Sequence, residues 1–403
     1  MRYPALLLIS LFGLQSCSLN ERLAATSSEL EQQYADIHLW ESLPLRTISW
    51  NQALAMIKRN NADYTRMQMN IEKAERSELS VYTDLIPGVS YYAYFNSSLR
   101  DLTNAVNSDR LDQNVNVSFS IPTLTQVPYR VYAAKAQTYS AIKALEGKER
   151  ELIAALYTLQ RNHELDQRIE AHKKNRQEPQ QEEQYLLKTK GDTHWMQVAT
   201  LLGDYSARWR ILPSSIPKFQ WSRYRELTSK LDPLIVCQLA LQLESSRLMQ
   251  YQVALNYLPT INTSLYSPSL FSSSGGTYTG TFLDMDDTKL NLSLSYTLDT
   301  RLRSWNNYQD SKAEFKLRQK ETTARLIELK QKLSTLRASL DEYYAWRGYM
   351  NKRIGHLTNA PAASAAEFLE NEKSVFSMQQ ELLSQEKSAI ESEAALILQY
   401  GLR

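Results

Sequence analysis

Cysteine, glycine and proline are all scarce in this chain, at 2, 11 and 12 of 403 residues. Two cysteines cannot build a disulfide framework or a thiolate-rich metal site. So few glycines and prolines supply too few turns for an all-β enzyme of this size. An excess of one charge is missing too: 46 basic residues face 44 acidic ones, for a formal net charge of +2. No bulk positive field therefore draws in nucleic acid. The five histidines (His38, His163, His172, His194, His356) never fall into HxxxH or HExxH spacing, which removes the commonest helical zinc signature. What is plentiful is aromatic area, with 24 Tyr, 9 Phe and 7 Trp. That area can offset chain entropy, so the composition is that of a folded protein.

The N-terminus carries the first positive signal. Met1-Arg2 precedes an apolar run from Ala5 to Leu14, and Leu14-Gln15-Ser16-Cys17 follows. A basic start, a short hydrophobic stretch and small residues at a cut site predict a signal peptide over residues 1–16. The run is too short for a membrane-spanning helix, which needs about 20 apolar residues. Leu-Gln-Ser-Cys resembles a bacterial lipobox, whose cysteine becomes the acylated N-terminus. An ordinary secreted protein with a cysteine near its cleavage point would begin in the same way. If the lipobox operates, Cys17 carries lipid (palmitate among its chains), Cys237 is the remaining free thiol, and residues 17–47 form a lipid-anchored segment. Ser18 after the cysteine, in place of Asp, favours transport to the outer membrane.

The rest reads as one plan written twice, over 48–221 and 222–403. In the first copy a helical stretch from Ser49 to Leu85 is broken at Asn60-Asn61. Two strands follow, at about 88–99 and 113–122. In the second strand Val115, Val117, Phe119 and Ile121 alternate with Asn114, Asn116, Ser118 and Ser120, the period of a strand with one apolar face. A helix from about Val131, a polar break near 173–179 and a second helix to Leu212 complete the copy. The second copy has a helix over 233–257, strands at about 260–267 and 289–298, a helix from about Ser304 to Arg353, a break near 356–362 and a last helix to Tyr400. In it Leu290, Leu292, Leu294 and Tyr296 alternate with Asn291, Ser293, Ser295 and Thr297. The expected fold class is mixed and mainly α, an internally duplicated helix–strand–strand–long helical hairpin.

Strands of 8–10 residues, apolar on one face and Asn/Ser/Thr on the other, suit a tilted membrane barrel, whose spans run about 9–11 residues. A soluble β-layer covered by helices would carry the same alternation. Four strands cannot close a barrel, so several chains would have to contribute. The helices carry a seven-residue repeat. On the last one the pairs Phe368/Leu369, Val375/Phe376, Leu382/Leu383, Ala389/Ile390 and Leu396/Ile397 recur. On the preceding one Leu326, Leu333 and Leu340 form one row, and Leu329, Leu336 and Tyr343 another. Strict heptads keep a seam facing its partner only when helices coil about one another.

These parts together resemble the TolC-like outer membrane efflux protein family. The resemblance is carried by Asn51-Gln52-Ala53-Leu54 through Asn61-Ala62-Asp63-Tyr64, by Ile71-Glu72-Lys73-Ala74-Glu75 and by Leu85-Ile86-Pro87. Val117-Ser118-Phe119-Ser120-Ile121-Pro122 precedes a long helix. Leu258-Pro259, Leu292-Ser293-Leu294-Ser295-Tyr296 and the run from Ala366-Glu367-Phe368-Leu369-Glu370 to Tyr400-Gly401 hold the equivalent places in the second copy. The resemblance implies a homotrimer whose four strands per chain make a 12-stranded outer-membrane β-barrel, continued by a periplasmic α-helical coiled-coil tunnel. It further implies a passive exit duct, working with a periplasmic adaptor protein and an inner-membrane transporter in efflux or type I secretion. The prolines near the breaks, Pro179 and Pro361, would sit at the periplasmic tips; Gly191 offers an alternative first tip. The segment between Leu212 and Asp232 is short for the family's equatorial region, and the second tip lacks the family's glycine turn.

No catalytic set emerges, and the chain is expected not to be an enzyme and to need no cofactor beyond the lipid on Cys17. Asp192, Thr193 and His194 resemble Asp/Ser/His material, but adjacent helical residues do not converge on a substrate. By the resemblance, Glu367 and Glu370 fall at the tunnel constriction, where a trimer would set two rings of three carboxylates. Glu182 and Glu183 are weaker candidates from the first copy. An envelope lipoprotein that uses a coiled-coil hairpin to bridge other complexes is the alternative from a different functional class.

Overall fold

The computed structural model describes residues 21, 23–32, 43–83, 88–95, 111–121, 126–174, 193–255, 260–267, 289–295, 303–359 and 365–402. Their elements are β1 (Leu45–Ile48), α1 (Trp50–Asn60), α2 (Ala62–Thr83), β2 (Gly88–Phe95), β3 (Leu111–Ile121), α3 (Gln126–Lys174), α4 (193–202), β4 (Arg208–Ile211), α5 (Trp221–Leu227), α6 (Pro233–Leu255), β5 (Thr260–Ser267), β6 (Lys289–Ser295), α7 (Arg303–Asn359) and α8 (Ala365–Tyr400). The chain divides into two compact units, one built on 1–33, 73–138 and 244–318 and the other on 34–72, 139–243 and 319–403.

The first unit holds a four-stranded antiparallel sheet in the order β2-β3-β5-β6. Two hairpins, β2–β3 and β5–β6, are joined through β3 and β5. The register aligns the alternating positions across the whole sheet. Val89 pairs with Val117, Val117 with Leu265 and Leu265 with Leu290. Ile121 pairs with Ile261 and Ile261 with Leu294, while Ser120, Asn262 and Ser293 form a polar row between such apolar ones. Because strand periodicity is two, a slip of one residue in any pair would mix the two kinds of row. Strand β3 begins earlier than its alternation predicts. Leu111 and Asp112 pair with Phe95 and Tyr94, since backbone pairing continues where side-chain polarity no longer alternates. Within this sheet β2 and β6 each have a neighbour on one side only.

The second unit contains the main core. Ser49 and Gln52 form a capping box at the start of α1, which satisfies two backbone donors that the helix leaves open. The apolar face of α1 then buries Trp50, Ala53 and Ile57. The break between α1 and α2 falls at buried Asn61. Its Oδ1 accepts from the amides of Asp63 and Tyr64, both at 3.0 Å, and its Nδ2 donates to the Leu201 carbonyl at 2.9 Å. One side chain thus caps α2 and ties it to the end of α4.

Helix α4 does not continue to Leu212. It stops at residue 202, where Gly203 adopts φ +67°, and a Cβ there would lie 2.3 Å from the Asn60 carbonyl oxygen. Glycine is required by both the conformation and the close approach. The chain then pairs β4 with β1 in parallel, Leu45 opposite Arg208 through Ile48 opposite Ile211. Trp209 and Ile211 turn into the core. The expected N-terminal segment therefore ends inside the fold, because Leu45–Ile48 supplies the partner strand. Around this sheet pack Leu156, Tyr157, Val198, Leu202, Tyr224, Leu340, Leu396 and Ile397. Each fully buried side chain of this kind contributes about 1.5–3 kcal/mol.

Helix α7 runs past Arg353 to Asn359, so 356–359 belongs to the helix and not to the break; residues 360–364 lie outside the described residues. Helix α3 extends to Lys174. Pro179 and Gly191, the alternative first tips, lie outside the described residues, as do the segments 96–110 and 268–288 between paired strands.

Candidate functional site

Helix α8 carries both the residues singled out from sequence and a set that was missed. Glu367 and Glu370 lie in its first two turns and are exposed. Beside them the heptad pair Phe368/Leu369 is 60% and 55% exposed. The next pairs, Val375/Phe376 and Leu382/Leu383, are half-buried, and Ala389/Ile390 and Leu396/Ile397 are buried. The seam thus closes progressively along the helix. Cys17, Glu182 and Glu183 lie outside the described residues.

Two further carboxylates on α8 are buried: Glu386 at 6% exposure and Glu393 at 4%. Glu386 accepts from Arg168 of α3 at 2.6 and 2.9 Å and from Arg161 of α3 at 3.3 Å. Arg161 also donates to Glu164 at 2.8 Å. Glu393 is held by hydroxyls from two helices. Tyr157 of α3 donates to it at 2.6 Å and Tyr344 of α7 at 2.5 Å. Burial pushes the Tyr157 and Tyr344 hydroxyls far above the ordinary tyrosine range, and the Glu393 charge pushes them further. Both stay protonated donors at any physiological pH. Charge-assisted bonds of this kind contribute about 1.5–3 kcal/mol each when buried.

One heptad further on, Tyr400 donates to the Lys230 carbonyl at 2.8 Å. Burial, with Asp232 nearby, raises its hydroxyl to about 12. Arg150 of α3 bridges the Asp232 carboxylate and the Gln399 carbonyl, both at 2.7 Å, and Tyr224 donates to the Gly401 carbonyl at 2.7 Å. Asp232 in turn accepts from the Leu234 amide at 2.9 Å at the start of α6. The end of α8 is therefore tied to α3, α5, α6 and α7.

A signal for this ladder exists in the sequence. Gln379, Glu386, Glu393 and Tyr400 are spaced by seven, and each of the last three lies three and four residues beyond an apolar pair. That spacing places them on the same helix stripe as the pairs. Beside Glu386 a cleft of about 420 Å³ is lined by Arg168, His172, Tyr343, Arg347 and Gln379 among others. Among the described residues no group of His, Cys, Asp and Glu could hold a metal ion. None of the described helices is long and apolar enough to cross a membrane. Thr193 and His194 open α4, and the His194 ring stacks on His163 of α3 at 3.8 Å between centroids. Asp192 lies outside the described residues.

No protein-family model matches the chain, and no curated protein does. Solved structures do. VceC, an outer membrane protein from Vibrio cholerae, matches with a TM-score of 0.58 at 13% identity, over 87% of this chain and 95% of that one. CusC, whose structures concern folding and transmembrane channel formation, matches with a TM-score of 0.56 at 14% identity, over 87% and 92%. The fold is that of the TolC-like outer membrane channels. The CmeC outer membrane channel of Campylobacter jejuni agrees, with a TM-score of 0.52 at 13% identity over 87% and 85%. A TolC-like fold accounts for the coexistence of a short-stranded sheet with heptad-bearing helices in one chain. These structural neighbours are channels and membrane proteins, not enzymes.

Proposed function

We propose that the chain is the outer membrane duct of a tripartite efflux pump or type I secretion system. Three copies close their four-stranded sheets into one 12-stranded barrel, and their helices continue it as a periplasmic tunnel. The observation that carries this reading is the sheet itself. Its register runs apolar rows across all four strands, and among the described residues its two outer strands each have one edge without a neighbouring strand. In a bilayer an open edge leaves backbone groups unsatisfied, so closure by further copies is the physical solution. The TolC-like fold supports the same assembly.

In this reading lipid on Cys17 anchors the chain to the outer membrane. The duct is passive, and an inner-membrane transporter drives small molecules or polypeptide into it through a periplasmic adaptor. Glu367 and Glu370, exposed in the single chain, form two carboxylate rings at the periplasmic constriction and favour cations there. Glu182 and Glu183 of the first hairpin are secondary candidates for the same lining.

The test is the native mass of protein extracted from outer membranes in mild detergent, with Cys17→Ala and Val117→Asp as variants. A trimer that stays in the membrane after Cys17→Ala and is lost after Val117→Asp is expected. A monomer or dimer released to the soluble fraction by Cys17→Ala alone would overturn the barrel and leave a lipid-tethered coiled-coil module.

A further inference from the structure

Helices α3 and α4 meet through two imidazoles. His163 and His194 stack with ring centroids 3.8 Å apart and planes 8° from parallel. Trp195 stands edge-on to both, at 5.5 and 5.0 Å. His194 is 6% exposed, and its Nε2 lies 3.5 Å from the amide nitrogen of the equally buried Gln160. His163 receives the Gln167 side-chain amide at 2.9 Å. The charges acting on the pair are Asp166 and Glu164 of α3 and Arg210 of β4. Glu164 is already engaged by Arg161.

We infer that this stacked pair is an acid-sensitive joint: protonating either ring is incompatible with the packed arrangement, so acid releases α4 from α3. An imidazolium at His194 would lose its hydration among Trp195, His163 and Gln160, and among the described residues no carboxylate is paired with it. Burial holds His194 down to about 3, and His163 adds to that effect. Burial also lowers His163, opposed by Asp166 and reinforced by Arg210. The sign follows from linkage. Both rings are depressed in the packed state, so an opened α4 takes up protons as pH falls below about 6.5 while the packed one does not. Packing is unaffected at neutral pH and weakens progressively down to about 3. The inference goes beyond the channel reading and holds for this helix pair whether or not the chain forms a duct.

Hydrogen exchange of the full-length protein in detergent tests it, with rates corrected for intrinsic chemistry. Between about pH 7.5 and pH 5, opening of the amides over 194–202 should rise about thirtyfold for one excluded imidazole. The amides of α8 over 389–397 should change far less. His194→Phe keeps a ring in the stack and should remove most of the rise, leaving only the smaller part due to His163. If that variant fails to fold, His194→Leu takes its place. Trp195 emission, taken as wild type minus Trp195→Phe, should follow the same pH course. A flat wild-type response, or an equal response in wild type and the folded His variant, would overturn the inference.

Discussion

The two ends of α8 contain the same kinds of residue in opposite states. At its start Glu367 and Glu370 flank an apolar pair, and all four side chains are exposed. Toward its end Glu386 and Glu393 flank the pair Ala389/Ile390, and all four are buried. The heptad is continuous, so the difference does not come from the helix. It comes from what faces it. Near the end, α3 and α7 supply arginines and tyrosine hydroxyls that make a buried carboxylate affordable; at the start both carboxylates stay exposed to water. A carboxylate on a heptad helix is thus a staple where it is buried among donors and a surface charge where water reaches it.

The largest effect should come from breaking the staple. Glu393→Ala leaves the buried Tyr157 hydroxyl and the half-buried Tyr344 hydroxyl without their acceptor and should destabilise the helical unit by about 3–5 kcal/mol, read from denaturant unfolding followed by far-UV circular dichroism. Glu386→Gln should cost less, about 1–2 kcal/mol, because Arg168 is 44% exposed and can return to water.

The tyrosine clamp also predicts an alkaline limit. Tyr157 and Tyr344 are raised in the folded state, so their contribution is fully present below about pH 10, the ordinary tyrosine value, and is lost as pH rises above it. A stability–pH curve should fall on that side, and Tyr157→Phe should make the fall shallower. The smallest stability effects belong to the other end. Glu367→Gln and Glu370→Gln should each change unfolding by less than about 0.5 kcal/mol. Their effect should appear instead as a weaker cation preference in single-channel recordings. A large stability loss there would erase the contrast between the two ends.

Much of this architecture was legible because it rests on periodicity. The period of two in Val115–Ile121 falls within β3 and that in Leu290–Tyr296 runs along β6 as far as Ser295, and the heptad pairs of α8 become the buried seam at its C-terminal end. Asn61 was readable as a break because an Asn can cap the next helix with its own side chain. Strands β1 and β4 were not readable. Each has four residues, too few for a periodic signal, and their pairing spans more than 160 positions. Glu386 and Glu393 were passed over because a glutamate in a Gln/Glu/Lys-rich helix reads as solvated until its partners are known. Their place three and four residues after an apolar pair was the available clue.

By itself the order of residues determined where the longer strands and helices run and which stripe of the heptad-bearing helices is apolar, since both follow from local spacing along one element. Tertiary structure alone decided which carboxylates are clamped, that Leu45–Ile48 finds a partner in Arg208–Ile211, and that His163 lies against His194. Those outcomes depend on which side chains meet from distant parts of the chain, and the energy of a buried charge, a strand edge or an imidazole is set by that company.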